Sequence, residues 1–208
     1  MRISEQAKQE TRGRILAQAA ALFTAKGFEA TTTRDIAEAA GLAVGTLFNY
    51  FPSKETLAMT MVGEALGQGR RDFLRRRGDA EDLTEELYLF LAAGLRRLRP
   101  LRPFVGPVLE RSFSPFPRKN VCPEGEAARL EHLAAVQEIL GRHGFVATPD
   151  RVAVTLYWSL YLGILACWAN DGSPNQEESQ ALIDYSLRLF VRMISGEVEH
   201  RAGGPHAA

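Results

Sequence analysis

Apolar residues recur every three or four positions from one end of this chain to the other, a period that predicts helices throughout. A first helix is expected over 5–26, with Ile15, Ala19, Leu22 and Phe23 on its inner face and Gly27 at its end, where a left-handed cap is easiest for glycine. Thr32 followed three residues later by Asp35 predicts a capping-box variant and a short second helix. Ser53, after Pro52, caps a helix of about six turns with the stripe Leu57, Val62, Leu66 and Phe73. Further helices are expected over 81–99, 103–113, 124–142, 149–170 and 176–195, with Gly144 closing one of them. Thr148 before Pro149, and Ser173 before Pro174, each pair an N-cap residue with proline at the first helical position. The fold class is all-α, with about nine helices.

The segment TTTRDIAEAAGLAVGTLFNYF, residues 31–51, carries the functional signal. It reads as two short helices about a glycine turn. Ile36, Ala37 and Ala40 form the inner face of the first helix, and Leu47 with Phe51 that of the second. Gly41 stands where the chain must turn with positive φ, Ala37 is small where the helices cross, and Leu42 plugs the corner. This is the spacing of a DNA-binding helix-turn-helix, whose second helix enters the major groove. The outward residues of that helix are Val44, Gly45, Thr46, Asn49 and Tyr50, with no acid among them. Thr46 and Asn49 can donate to phosphate or read bases, and Val44 can pack on a thymine methyl. The lack of arginine there implies modest direct readout, supplemented by DNA shape. Lys54 is expected to clamp a phosphate at the start of the next helix, and Arg34 to do so on the other flank.

The run GFEATTTRDIAEAAGLAVGTLFNYFPSKETL, within residues 15–57, resembles the N-terminal domain of the tetracycline-repressor-like (TetR) family of regulators. The resemblance implies a helix-turn-helix domain over 9–54 (motif 32–51) and a helical effector-binding and dimerisation domain over 55–200. It also implies a homodimer on a palindromic double-stranded DNA operator. By that resemblance Thr33, Arg34, Thr46, Asn49, Tyr50 and Lys54 touch the DNA backbone, while Val44 and Gly45 lie nearer the bases. Two residues depart from the family pattern. Phe48 stands where tyrosine is usual, and Ala43 where a serine commonly caps the recognition helix, a loss of roughly 1 kcal/mol. A hairpin that merely packs in a core would explain Ile36, Leu42 and Leu47 but would not require the small, polar outer face.

Composition adds limits. With 46% hydrophobic and 24% charged residues the chain has the balance of a globular protein, and 201–208 reads as a disordered tail. The formal net charge of zero advertises no nucleic-acid partner, so any basic footprint must be local. Cys122 and Cys167 are too few and too distant for a disulfide framework, and the N-terminus lacks the apolar core of a signal peptide, which together suggest the cytoplasm. The arginines at 70, 71, 75, 76 and 77 read as a solvated helix end.

The uncharged stretch 152–169 raises the membrane question. The expectation is a helix apolar on every side and buried within a bundle, with no membrane partner. Together with Ile183, Leu187, Phe190 and Ile194 on the last helix, it would pair with its copy in an isologous four-helix interface. Tyr88, Phe90, Leu91, Phe104, Phe113, Tyr157, Tyr161 and Cys167 are the candidate lining of a pocket for a small apolar or aromatic effector. His132, His143, His200 and His206 show no metal spacing. No catalytic constellation or cofactor motif is present. The resulting expectation is a repressor that an effector releases from DNA by tilting the helix after Ser53. The rival readings are an enzyme or a membrane-anchored protein using the apolar C-terminal helices.

Overall fold

The Ser4 hydroxyl accepts a hydrogen bond from the Ala7 amide at 3.2 Å and so starts the first helix, α1 (Glu5–Lys26). The computed structural model describes residues 4–76, 78, 82–112, 122–145 and 151–196. Among the described residues the chain forms nine α-helices, two single-turn 3-10 helices and no strand. After α1 come α2 (Thr33–Ala39), α3 (Val44–Tyr50), α4 (Lys54–Arg76), α5 (Leu83–Leu98), α6 (Arg102–Ser112), α7 (Pro123–Arg142), α8 (Arg151–Asn170) and α9 (Glu177–Ile194). The all-α expectation holds. The cap at 148–149, Phe113 and the tail at 201–208 lie outside the described residues.

The helices group into two compact units, Met1–Arg71 with Gly94–Leu130, and Asp72–Ala93 with Glu131–Ala208. The first unit thus extends beyond the expected 9–54. Leu57, Ala58, Met59 and Val62 of α4 are buried in it. The Phe104 ring of α6 also lies 5.1 Å from Phe23, which in turn lies 5.1 Å from Phe28. A side chain of this size, fully buried, contributes about 1.5–3 kcal/mol, so α6 is held by its aromatic anchor despite Pro107 in its interior.

The zero net charge conceals an opposition between the units. The first holds 17 basic and 10 acidic residues, a net of +7, and the second 8 and 15, a net of −7. The unit that contains the helix-turn-helix is the basic one, although most of the excess lies in 94–130, with 8 basic and 3 acidic residues, and residues 1–71 hold 9 and 7.

In the second unit, buried Glu86 of α5 accepts hydrogen bonds from Arg142 and, at 2.7 Å, from His143 at the end of α7. Burial pushes the Glu86 carboxyl upward, but those two partners outweigh it and hold the group below its usual range. Ser173 and Pro174 stand at the cap and first position of a helical turn, as expected, and the last helix begins one residue after the expected 176. Those residues enter a 3-10 turn in which Asn175 and Gln176 take φ of 54° and 60°, and α9 starts only at Glu177. Ser173 and Asp171 share the anchoring of α9, the Ser173 hydroxyl accepting from the Glu178 amide at 3.2 Å. One of the Asp171 oxygens accepts from the Ser179 amide at 2.9 Å and hydroxyl at 2.5 Å, and the other from the Ser173 amide at 2.8 Å.

The expectation that α8 is buried on all sides is corrected. Tyr157, Trp158, Tyr161, Ile164, Leu165 and Trp168 face the interior, but Val152, Leu156, Ser159, Gly163 and Ala166 form an outward stripe, with Val152 59% exposed. Its length and mean hydropathy of 1.6 would let it cross a membrane, yet one face is already taken by packing within the chain. On α9, Leu182, Tyr185, Leu189 and Met193 recur at the same helical spacing on the less buried side, with Tyr185 70% exposed.

Candidate functional site

Thr32 and Asp35 set the start of α2. The Asp35 amide donates to the Thr32 hydroxyl at 3.1 Å, while the Thr32 amide donates to the Asp35 carboxylate at 2.8 Å, completing the capping box. Lys26, at the end of α1, donates to that carboxylate at 2.8 Å. This bond, followed by those from Thr32, holds the Asp35 carboxyl well below the usual range. The cap is therefore intact above the ordinary carboxylate range and is lost only as strong acid protonates the folded state.

The turn between α2 and α3 closes as the sequence requires. Gly41 has φ of 66°, its amide donates to the Glu38 carbonyl at 3.0 Å, and the Leu42 amide donates to the Ala37 carbonyl at 2.9 Å. These two bonds form a Schellman motif, and they fix the angle at which α3 leaves the corner. Ile36, Ala37 and Leu47 are fully buried beneath it. Ala43 starts α3 without a side-chain cap, as its methyl dictates. Phe51 ends α3 buried, with the Arg12 guanidinium 5.7 Å from its ring centroid and ion-paired to Glu64 at 2.7 Å. Helix α3 is thus fixed from below by α2 and, at Phe51, by Arg12 of α1, and its outer side is exposed.

Of the residues expected on that open side, Arg34, Gly45 and Asn49 are exposed, and Thr33, Val44, Thr46 and Tyr50 are half-buried at its edges. Phe48, noted in the sequence only as a missing hydroxyl, is 44% exposed beside them.

The expected role of Lys54 as a direct phosphate clamp needs correction. Its Nζ donates to the carbonyl oxygens of Phe28, Glu29 and Thr31 at 2.9, 3.2 and 3.3 Å, and sits 4.5 Å from the Phe28 ring centroid. An ammonium has three hydrogens, and three carbonyls take them. Lys54 fastens the loop between α1 and α2, and so positions Thr33 and Arg34. Lys54→Met is expected to destabilise the first unit by about 2 kcal/mol, the range for hydrogen bonds to a charged group. Its log-affinity against log-salt slope for DNA should stay nearly unchanged. A fall in slope of about 0.9 per protomer without loss of stability would restore the phosphate clamp.

In the second unit three of the expected pocket residues converge on one that the sequence reading passed over. His132 of α7 is buried, its Nε2 is 2.9 Å from the Tyr157 hydroxyl, and its ring stacks on Tyr161 with centroids 4.0 Å apart. Phe90 and Trp158 complete the surround at 5.1 and 6.1 Å. Burial pushes the imidazole down to about 3 and raises the Tyr157 and Tyr161 hydroxyls, so all three are neutral near pH 7. The signal for His132 was its spacing, since Ala128, Ala135, Val136 and Ile139 share its stripe.

The other candidates are placed elsewhere. Leu91 is buried on α5 and Cys167 is half-buried on α8. Phe104 belongs to the first unit's aromatic core. Tyr88, two residues from Phe90 and so on the opposite side of α5, lines a separate cleft of about 590 Å³ with Asp82, Thr84, Glu85, Asp184 and Arg188. Among the described residues no group of histidine, cysteine and carboxylate side chains is placed to hold a metal.

A fixed corner and a short second helix open on one side define a helix-turn-helix DNA-binding protein. Residues 15–60 match the bacterial regulatory proteins of the tetR family. The HTH-type transcriptional repressor KstR of Mycolicibacterium smegmatis is 32% identical over 200 residues, covering 91% of this chain and 91% of that protein. KstR of Mycobacterium tuberculosis (strain H37Rv) is 31% identical over 191 residues, covering 91% and 84%. In fold, Thermus thermophilus FadR, a TetR-family transcriptional repressor solved in complex with lauroyl-CoA, superposes with a TM-score of 0.69 at 24% identity, over 94% of this chain and 100% of that one. The chain belongs to the tetR family and is a DNA-binding transcription regulator, not an enzyme.

Proposed function

We propose that this protein is a cytoplasmic repressor that binds a palindromic operator as a homodimer and is released by a small apolar effector. The observation that carries the DNA reading is the open face of α3, acid-free, with Gly45 and Asn49 on its outer ridge, Thr46 and Tyr50 on one flank and Val44 and Phe48 on the other. Thr46, Asn49 and Tyr50 donate to phosphates or base edges, Val44 and Gly45 approach the bases, and Thr33 and Arg34 hold the flanking phosphate. Repression is supported by the KstR relatives, each named as a repressor. The outward apolar stripes of α8 and α9 support a four-helix interface with a second copy, which doubles the DNA contacts on a two-fold site.

The ring cluster about His132 supports an effector that is largely apolar and carries one polar oxygen for the His132–Tyr157 pair. Since a structural neighbour was solved with lauroyl-CoA, a fatty acyl chain is the first apolar class to test, free or on its charged carrier. The experiment is a mobility shift on duplexes selected by the protein from a random pool, titrated with lauroyl-CoA and with free lauric acid. Release of the duplex by the free acid supports the reading, and release by the thioester alone replaces the small effector with the larger, charged one. A ligand that raises the melting temperature and leaves DNA affinity unchanged contradicts the release mechanism.

A further inference from the structure

We propose that Phe48 is a specificity-determining residue that, with Val44 and across the gap left by Gly45, forms an apolar slot for the 5-methyl group of thymine. The proposal rests on the reading that α3 enters the major groove.

The argument begins with the wheel of α3. Leu47 points straight into the core and is fully buried. At about 100° per residue, Gly45 and Asn49 then form the outermost ridge, and the flanks separate by chemistry. Val44 and Phe48 share one flank at a spacing of four. Thr46 and Tyr50 share the other. One side of the helix is polar and the other is not.

Phe48 is the most conspicuous member of the apolar side. Its ring is 44% exposed on a seven-residue helix whose other large apolar residue, Leu47, is fully buried. It has no group that can bond a phosphate, so the positioning contact that a tyrosine hydroxyl would make is not available to it. The environment that removes an exposed apolar ring from water on a groove-facing surface is the thymine methyl, the apolar feature of the major-groove edge. Gly45, one turn earlier, gives the approach. A Cβ built there meets nothing within 4 Å, the Phe48 ring included, so the ridge next to the apolar flank is open to the edge of a base pair.

The test uses the full-length protein and duplexes it selects from a random-sequence pool. Each thymine of the tightest duplex is replaced singly by deoxyuridine, which removes the methyl and leaves every hydrogen-bonding group. Wild type is expected to lose about fourfold in affinity at one or two positions per half-site, the fold-change that burial of one methyl-sized group commands. Phe48→Ala should bind more weakly overall and be indifferent to the same replacements, with a melting temperature lowered by no more than a few degrees because the residue is only partly buried. Gly45→Ala, which fills the gap without a clash, should also abolish the thymine dependence. Wild type equally tolerant of deoxyuridine at every position overturns the proposal while leaving the DNA reading intact. Recovery of no duplex from the pool overturns the DNA reading itself.

Discussion

Leu156→Asp combined with Leu189→Asp is expected to convert the protein to monomers and to lower its affinity for selected duplex DNA by about 100-fold or more. Both side chains are exposed, and each lies in an apolar stripe of the α8–α9 hairpin left uncovered among the described residues. In a two-fold assembly each substitution occurs twice, so four carboxylates would be buried in one interface, where an unpaired charge is strongly disfavoured. A monomer keeps its helix-turn-helix but loses the second, effectively intramolecular, half-site contact. Sedimentation gives the mass and a mobility shift the affinity. The exposed starting positions keep the fold of each protomer out of the comparison, and unchanged circular dichroism should show it. A variant that stays dimeric would place the interface elsewhere.

The second large effect is on acid stability. His132→Gln should remove part of the second unit's sensitivity to falling pH. The buried imidazole is held down to about 3, whereas in the unfolded chain it titrates near 6.5. Between those values the unfolded state takes up a proton that the folded state refuses, so stability is lost as pH falls through that window and is fully present above it. Tyr157 and Tyr161, the polar side chains packed on His132, are raised by burial and stay neutral throughout. Glutamine keeps a partner for the Tyr157 hydroxyl and does not titrate. Urea midpoints at pH 7 and pH 4.5 should show the pH difference shrinking by about 2 kcal/mol in the variant. An equal difference in both proteins would mean that the imidazole is not held neutral by its surroundings.

What could be read from the residues divides by range. The α2–α3 corner was legible because its determinants are local. Thr32, Asp35, Gly41 and Leu42 act within a few residues of one another, through bonds that the structure reproduces. The non-local features were not legible. Lys54 looked like a free cation at a helix start, and only the folded loop brings three carbonyls from 28–31 to its ammonium. His132 looked like a lone polar residue until Tyr157 and Tyr161, about 25 positions later, supplied its surround. At the start of α9 the local Ser173 cap was legible, and the second anchor, Asp171, which bonds Ser179 eight positions on, was not. Charge followed the same rule. A sum of zero says nothing until the chain is divided, and the division yields +7 and −7.

The open face of α3 is the point on which everything else depends, and a hydroxyl-radical footprint on the selected duplex addresses it directly. Two recognition helices on a two-fold axis should protect two stretches on one face of the duplex, centred about one helical turn or a whole multiple of it apart. Substitution of Asn49, on the outermost ridge, by aspartate should erase both at once. Protection that persists in Asn49→Asp, or no protection by wild type at any concentration that saturates the shift, would show that α3 is not what meets the DNA.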